Sequence, residues 1–186
     1  MKKEEKYEFL NHLEVNDIVF TYNKKALFSK LAWWVDSEKG VDEDVKISHA
    51  LIIFNKDLVA EARLSQGYVL LRDVKKYKES THKIRVCRLV KPELKNFNAF
   101  KLRQKILQDV GDKKYSLIKL ILIGIKRFFG IRKYTEIDDD AVICSEWVSE
   151  VFKAAGVDLY KGLKNHETSP ISLFGSNKIQ LIYTGK

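Results

Sequence analysis

Apolar and polar positions along this chain follow two rhythms: short β-branched runs that suit strands, and a wider spacing that suits helices. The first ten residues are polar and read as a frayed helix or tail, so the fold is expected to begin near Leu13. VNDIVFTY has the character of a strand entered from a turn. From Asn23 to Val35, the positions Ala26, Leu27, Leu31, Trp34 and Val35 approach helical intervals, and the DSEKGVDEDVK run behind them has loop composition. ISHALIIF and LVAEARL are separated by Asn55, Lys56 and Asp57, residues suited to a tight turn, which predicts a hairpin. GYVLLRDVKKY and KIRVCRLV add two more strands, giving an antiparallel meander.

Pro92 stops the last of these strands, and Leu94, Phe97, Phe100, Leu102, Ile106, Leu107 and Val110 predict an amphipathic helix from Glu93 that ends at Gly111. The segment 116–134 reads as a second helix, a basic and apolar insert that can serve as a lid or a surface element. A third helix is expected to begin around Cys144 and to end at Gly156, with Trp147, Val148, Val151, Phe152 and Ala155 as its apolar stripe. KIQLIYTG closes the chain as a strand. Without an internal repeat, a Gly/Ser linker or a low-complexity tract, residues 1–186 read as one domain, with 1–12 as a flexible tail.

Composition narrows this picture. A share of 45% hydrophobic residues with only two prolines argues for a packed core and against disorder. Two cysteines, Cys87 and Cys144, cannot make a disulfide framework, and MKKEEKYEFL is charged where a secretory signal is apolar. The longest apolar run, Leu117 to Ile125, contains Lys119 and is too short to span a bilayer. A cytoplasmic protein is expected, with peripheral membrane association open to it. His12, His82 and His166 show no metal-ligand spacing and no glycine-rich phosphate loop is present, so neither a metal nor another cofactor is expected.

The net charge of +9 is regional: residues 75–133 hold 18 Lys and Arg against 4 Asp and Glu. Such a region suits an anionic partner, although solvated lysines on helix surfaces explain it as well.

Three positions can do chemistry together: Cys144 at a helix start, His49 at a strand start, and Glu61 on the partner strand. A thiol is nucleophilic as its thiolate, which a helix N-terminus and a neighbouring imidazolium favour. With a three-residue turn centred on Lys56, position 49 opposes 63 and 51 opposes 61, so His49 and Glu61 are diagonal neighbours on one face. Glu61 would then orient the imidazole, His49 would deprotonate Cys144, and the thiolate would attack a carbonyl to give an acyl-enzyme. The Cys144 backbone amide is the natural first oxyanion donor, and the second has no candidate. Each residue taken singly also has an ordinary structural reading, as a buried thiol, a core histidine or a surface carboxylate.

NDIVF, a Trp-bearing helix, SHALIIF, VAEAR, GYVLLRDVKKY and ICSEWVSEVFKAAGV followed by ETSPISLF occur in an order that resembles the permuted papain-like cysteine amidases, relatives of the NlpC-type peptidases and of lecithin retinol acyltransferase. The His strand precedes the Cys helix, the order of that permuted branch. The resemblance implies an α+β, circularly permuted papain-like fold, an antiparallel sheet or partial barrel packed against helices, with the catalytic Cys at a helix N-terminus. It implies Cys144 as nucleophile, His49 as base and Glu61 as orienting group. Asp17, in the position of the family's Gly-Asp-Ile step, and Tyr115 would lie near the cleft as substrate-binding residues. Asn16 stands where the family usually has Gly.

The expected function is therefore a cysteine hydrolase, amidase or acyltransferase acting on a peptide, a lipidated amine or an acyl lipid. The alternative is a catalytically silent scaffold that binds anionic lipid or nucleic acid through residues 75–133. The absence of any nucleic-acid motif counts against the nucleic-acid version.

Overall fold

The computed structural model describes residues 7–25, 46–119, 121–122, 140–160 and 169–185. These form an α+β arrangement built on a six-stranded antiparallel sheet. Its strands are β1 (Ile18–Asn23), β2 (His49–Ile53), β3 (Leu58–Arg63), β4 (Tyr68–Asp73), β5 (His82–Leu89) and β6 (Ile179–Thr184), in the order β4-β3-β2-β1-β5-β6. Three helices are described: α1 (Ala99–Asp109), α2 (Cys144–Ala154) and α3 (Pro170–Phe174).

Strands β2, β3 and β4 form the expected meander, but β5 does not continue it. β5 crosses to the far side of β1 and pairs with it from Ile18↔Cys87 to Asn23↔His82. β1 can be central because Ile18, Val19 and Phe20 are all buried, so both of its faces are apolar.

Alternate residues feed two cores. On one face Ile18, Phe20, Ala50, Ile52, Ala60 and Ala62 meet Trp147, Val148, Val151 and Phe152 of α2 and Leu102 and Ile106 of α1. Three alanines on β2 and β3 keep the sheet thin where α2 lies against it. On the other face Val19, Leu51, Ile53, Val59, Ile84 and Val86 pack with Val74, Tyr77 and Phe9. Phe9 lies in the segment read as a tail, yet a 3-10 turn over Glu8–His12 buries its ring, and its N–H donates to Glu79 Oε1 at 3.2 Å. Tyr7, Leu10 and Leu13 pack on the same core, so this stretch helps to cover it.

The helix expected from Glu93 is also shorter than its apolar spacing suggests. Lys91–Lys95 forms a separate 3-10 turn, and α1 starts only after Asn98, whose side chain accepts the Lys101 N–H at 3.0 Å. That cap outcompetes continuous helix. Phe100 and Leu107 point away from the buried Leu102 and Ile106 and are exposed. The helix expected at 23–35 lies outside the described residues beyond Lys25, as does most of the insert at 116–134.

Candidate active site

The hairpin between β2 and β3 has the register expected from its turn. Ile52 faces Ala60 and Ile53 faces Val59, so 51 falls opposite 61 and 49 opposite 63. Asn55 Oδ1 fixes the turn by accepting the N–H groups of Asp57 and Leu58 at 2.9 and 2.8 Å. His49 and Glu61 are thereby diagonal neighbours, and His49 Nε2 lies 2.6 Å from Glu61 Oε2.

Glu61 is wholly buried and satisfied by four groups. Its Oε2 accepts from the Tyr77 hydroxyl at 2.5 Å as well as meeting His49, while Oε1 faces Arg63 Nη1 at 3.3 Å and Arg72 Nη1 at 3.8 Å. Burial favours the neutral acid, but the hydrogen bond and charge of His49, the Tyr77 hydroxyl and Arg63 outweigh it and hold the carboxyl at about 2. Tyr77 is pushed well above the usual phenol range by its own burial and by the Glu61 charge, so it stays a donor.

Cys144 is the first residue of α2 and is buried, behind an extended Ile143. The Ile143 N–H donates to Glu146 Oε2 at 3.3 Å, a side chain reaching back over the first turn. Lys119 clamps this start: its Nζ donates to Ala141 O at 2.5 Å and lies 3.4 Å from Glu146 Oε1. The negative charge of Glu146, two residues from the thiol, is therefore compensated locally. Alongside, Ser116 N–H donates to Val142 O and Val142 N–H donates to Lys114 O, both at 2.9 Å. This short bridge carries Tyr115 to the head of α2.

The Cys144 sulfur acts on both the His49 ring and the Tyr115 hydroxyl. Burial works against a charged His49, yet the Cys144 sulfur and Glu61 together raise the ring from 6.5 to about 10. Burial and the Cys144 sulfur push Tyr115 well above the usual phenol range. Since Nε2 of His49 is engaged by Glu61, Nδ1 is the atom left for the sulfur.

Of the five residues singled out in the sequence, Cys144, His49, Glu61 and Tyr115 form one connected group. Asp17 does not join it. Asp17 precedes β1, where its backbone oxygen accepts the Ile53 N–H, whereas His49 pairs with Thr21 at the other end of that strand. Four residues of strand separate them by roughly 13 Å. Asp17 instead binds Arg88 of β5 with two oxygens, at 2.8 and 2.9 Å, and accepts the Glu14 N–H at 2.8 Å. Next to it Asn16 has φ +76°, the left-handed conformation that Gly or Asn adopts most readily. Tyr77, Arg63 and Arg72 were not anticipated. The charged Glu61 and Arg63 at a spacing of two in an otherwise apolar strand were a signal, but Tyr77 and Arg72 reach Glu61 only through the fold.

Cys87 is buried in the sheet, where burial and the nearby Asp17 push its thiol up to about 12. Among the described residues, no group of three or more His, Cys, Asp or Glu side chains is placed to hold a metal ion, and no helix is long and apolar enough to cross a membrane. Compared with known proteins, the chain matches no family model and no curated sequence.

Proposed function

We propose that this protein is a cysteine-dependent hydrolase or acyltransferase with a permuted papain-like fold, acting on an amide or ester through Cys144, His49 and Glu61. The observation that carries the reading is the chain of contacts from the Cys144 thiol through His49 to a buried, ionised Glu61. A buried carboxylate with four polar partners is costly to assemble, and orienting and charging an imidazole beside a thiol is a use that accounts for it.

In this mechanism His49 takes the Cys144 proton, and the thiolate attacks the substrate carbonyl carbon. The oxyanion accepts hydrogen bonds from the Cys144 backbone N–H and from Tyr115, whose hydroxyl already meets the sulfur. As the carbon–nitrogen or carbon–oxygen bond breaks, His49 returns the proton to the leaving amine or alcohol. Water, or a second alcohol or amine, then gives its proton to His49 and attacks the thioester, which releases the acid or the transferred acyl product and restores Cys144. Tyr115 thus fills the second donor position that has no candidate in the sequence.

Phe100 and Leu107 of α1 and Leu117, Ile118 and Ile121 are exposed, and Lys101, Arg103, Lys113 and Lys114 stand close to them in the sequence. This combination supports docking on an anionic membrane, where acyl substrates are presented.

The test is the rate of Cys144 alkylation by iodoacetamide against pH in a Cys87→Ser background. Fast alkylation below pH 7 that His49→Ala slows at least tenfold supports the reading. A rate equal to that of a free thiol and indifferent to His49 overturns it.

A further inference from the structure

Glu61 is sealed from solvent, but three of the groups around it are not. The side chains of His49, Arg63 and Arg72 are 20%, 32% and 27% exposed, while that of Glu61 is 0% exposed. Each lies within 4 Å of the same carboxylate, so the three form one contiguous, solvent-facing layer over it. Arg63 and Glu61 are two residues apart on β3, and Arg72 opposes Val59 on β4, so strand alternation puts all of them on one face.

The charges in this layer do not balance: even with the Cys144 sulfur set against His49, Glu61 is left facing two guanidinium groups. Nor are the donors filled. Arg63 gives Nε to Ser65 Oγ at 2.9 Å and Nη1 to Glu61 and the Tyr77 hydroxyl. Arg72 has Glu61 Oε1 at 3.8 Å, beyond hydrogen-bond length; its side chain is 27% exposed, and among the described residues its planar fork of N–H groups has no other ion pair. The surplus charge is felt by a neighbour. His82 is held below its ordinary value, first by burial and then, against a backbone hydrogen bond at Lys78, by Arg63, His49 and Arg72.

We infer that Arg63 and Arg72 form, beside His49, a cationic rim that receives an anionic group of the substrate, a carboxylate or a phosphate, close to the scissile carbonyl. This rests on the reading of Cys144, His49 and Glu61 as the reacting group and narrows its substrate class to anionic acyl compounds. The anion completes the charge balance that Glu61 begins, and the fork of Arg72 is shaped to bind two of its oxygens. An N-acylated amino acid, a peptide with a free carboxyl end and a phosphate-bearing acyl lipid share this chemistry.

The experiment is calorimetric titration of the Cys87→Ser, Cys144→Ser protein with N-acetylglycine and with glycerol 3-phosphate, before and after Arg72→Gln. Because it needs no reactive thiol, its outcome is independent of the alkylation test. Binding of either probe, weakened about tenfold or more by Arg72→Gln and only partly by Arg72→Lys, is the expected result. A response to N-acetylglycine alone assigns a carboxylate, and one to glycerol 3-phosphate alone a phosphate. Binding of neither probe at millimolar concentration, or equal affinity with and without Arg72, overturns the rim. Slow alkylation of Cys144 in the parent combined with anion binding would instead remove the catalytic reading and leave an anion site.

Discussion

Replacing Glu61 with Gln isolates what the buried carboxylate contributes. The substitution keeps the size of the side chain and lets its carbonyl oxygen still accept from His49 and Tyr77, which now meet Oε2 at 2.6 and 2.5 Å. What it removes is the charge that His49, Arg63 and Arg72 share, and it turns an amide N–H₂ toward the Arg63 guanidinium. A unit charge about 4 Å from an imidazolium contributes about 4 kcal/mol at an effective dielectric constant near 20. That corresponds to about three powers of ten in proton affinity, reduced in practice by solvent at the exposed edge of the ring. His49 is raised to about 10 by Cys144 and Glu61 together, so Glu61→Gln leaves it with the sulfur alone as support. Alkylation of Cys144 at pH 6.5 is then expected to fall by roughly 10- to 100-fold, with the rising limb of the pH profile displaced upward. The assay is pseudo-first-order loss of the thiol to iodoacetamide between pH 5 and 9, with circular dichroism to show that the variant is folded. A folded Glu61→Gln protein whose rate and profile match the parent within twofold would falsify the account of Glu61 as the group that charges His49.

Further outcomes follow from the same contacts. Tyr77→Phe removes a hydrogen bond to a charged, buried acceptor, so it should cost about 2 kcal/mol in urea unfolding and displace the alkylation profile in the same direction as Glu61→Gln, by less. Asp17→Asn breaks a two-oxygen contact with Arg88 far from the thiol; a loss of about 3 kcal/mol with an unchanged alkylation profile is expected, and a changed profile would return Asp17 to the site. Glu61 binds its proton more weakly folded, at about 2, than unfolded, near 4.5. Its stabilisation is therefore complete above pH 4.5 and is lost as pH falls toward 2, so the parent should lose stability from pH 5 to 3 more steeply than Glu61→Gln, read from unfolding midpoints. Nitrogen-15 spectra of the His49 ring should show both nitrogens protonated at pH 8, and a neutral ring at that pH would contradict the ion pair with Cys144 and Glu61.

Local pattern in the sequence determined most of the elements that could be checked. The strands followed from β-branched runs between turn residues, and α2 from an apolar stripe that ends at Gly156, whose φ is +93°. Even the diagonal relation of His49 to Glu61 was legible, because a three-residue turn and a period of two fix the register of a hairpin without reference to the rest of the chain. Tertiary structure decided what depends on segments distant in sequence. β5 could not be assigned to β1 rather than β4 from its own residues, since edge and centre differ only in what lies alongside. Phe9 became core because an uncovered sheet face lay within its reach. Tyr115 is brought to the head of α2 by a backbone bridge between 114–116 and 142, and Arg72 from β4 and Tyr77 from the turn after it meet Glu61. Periodicity tells which way a side chain points relative to its neighbours, whereas a buried charge is satisfied by whatever the folded chain brings to it. The pair was therefore readable from the hairpin, and the groups that set its charge were not.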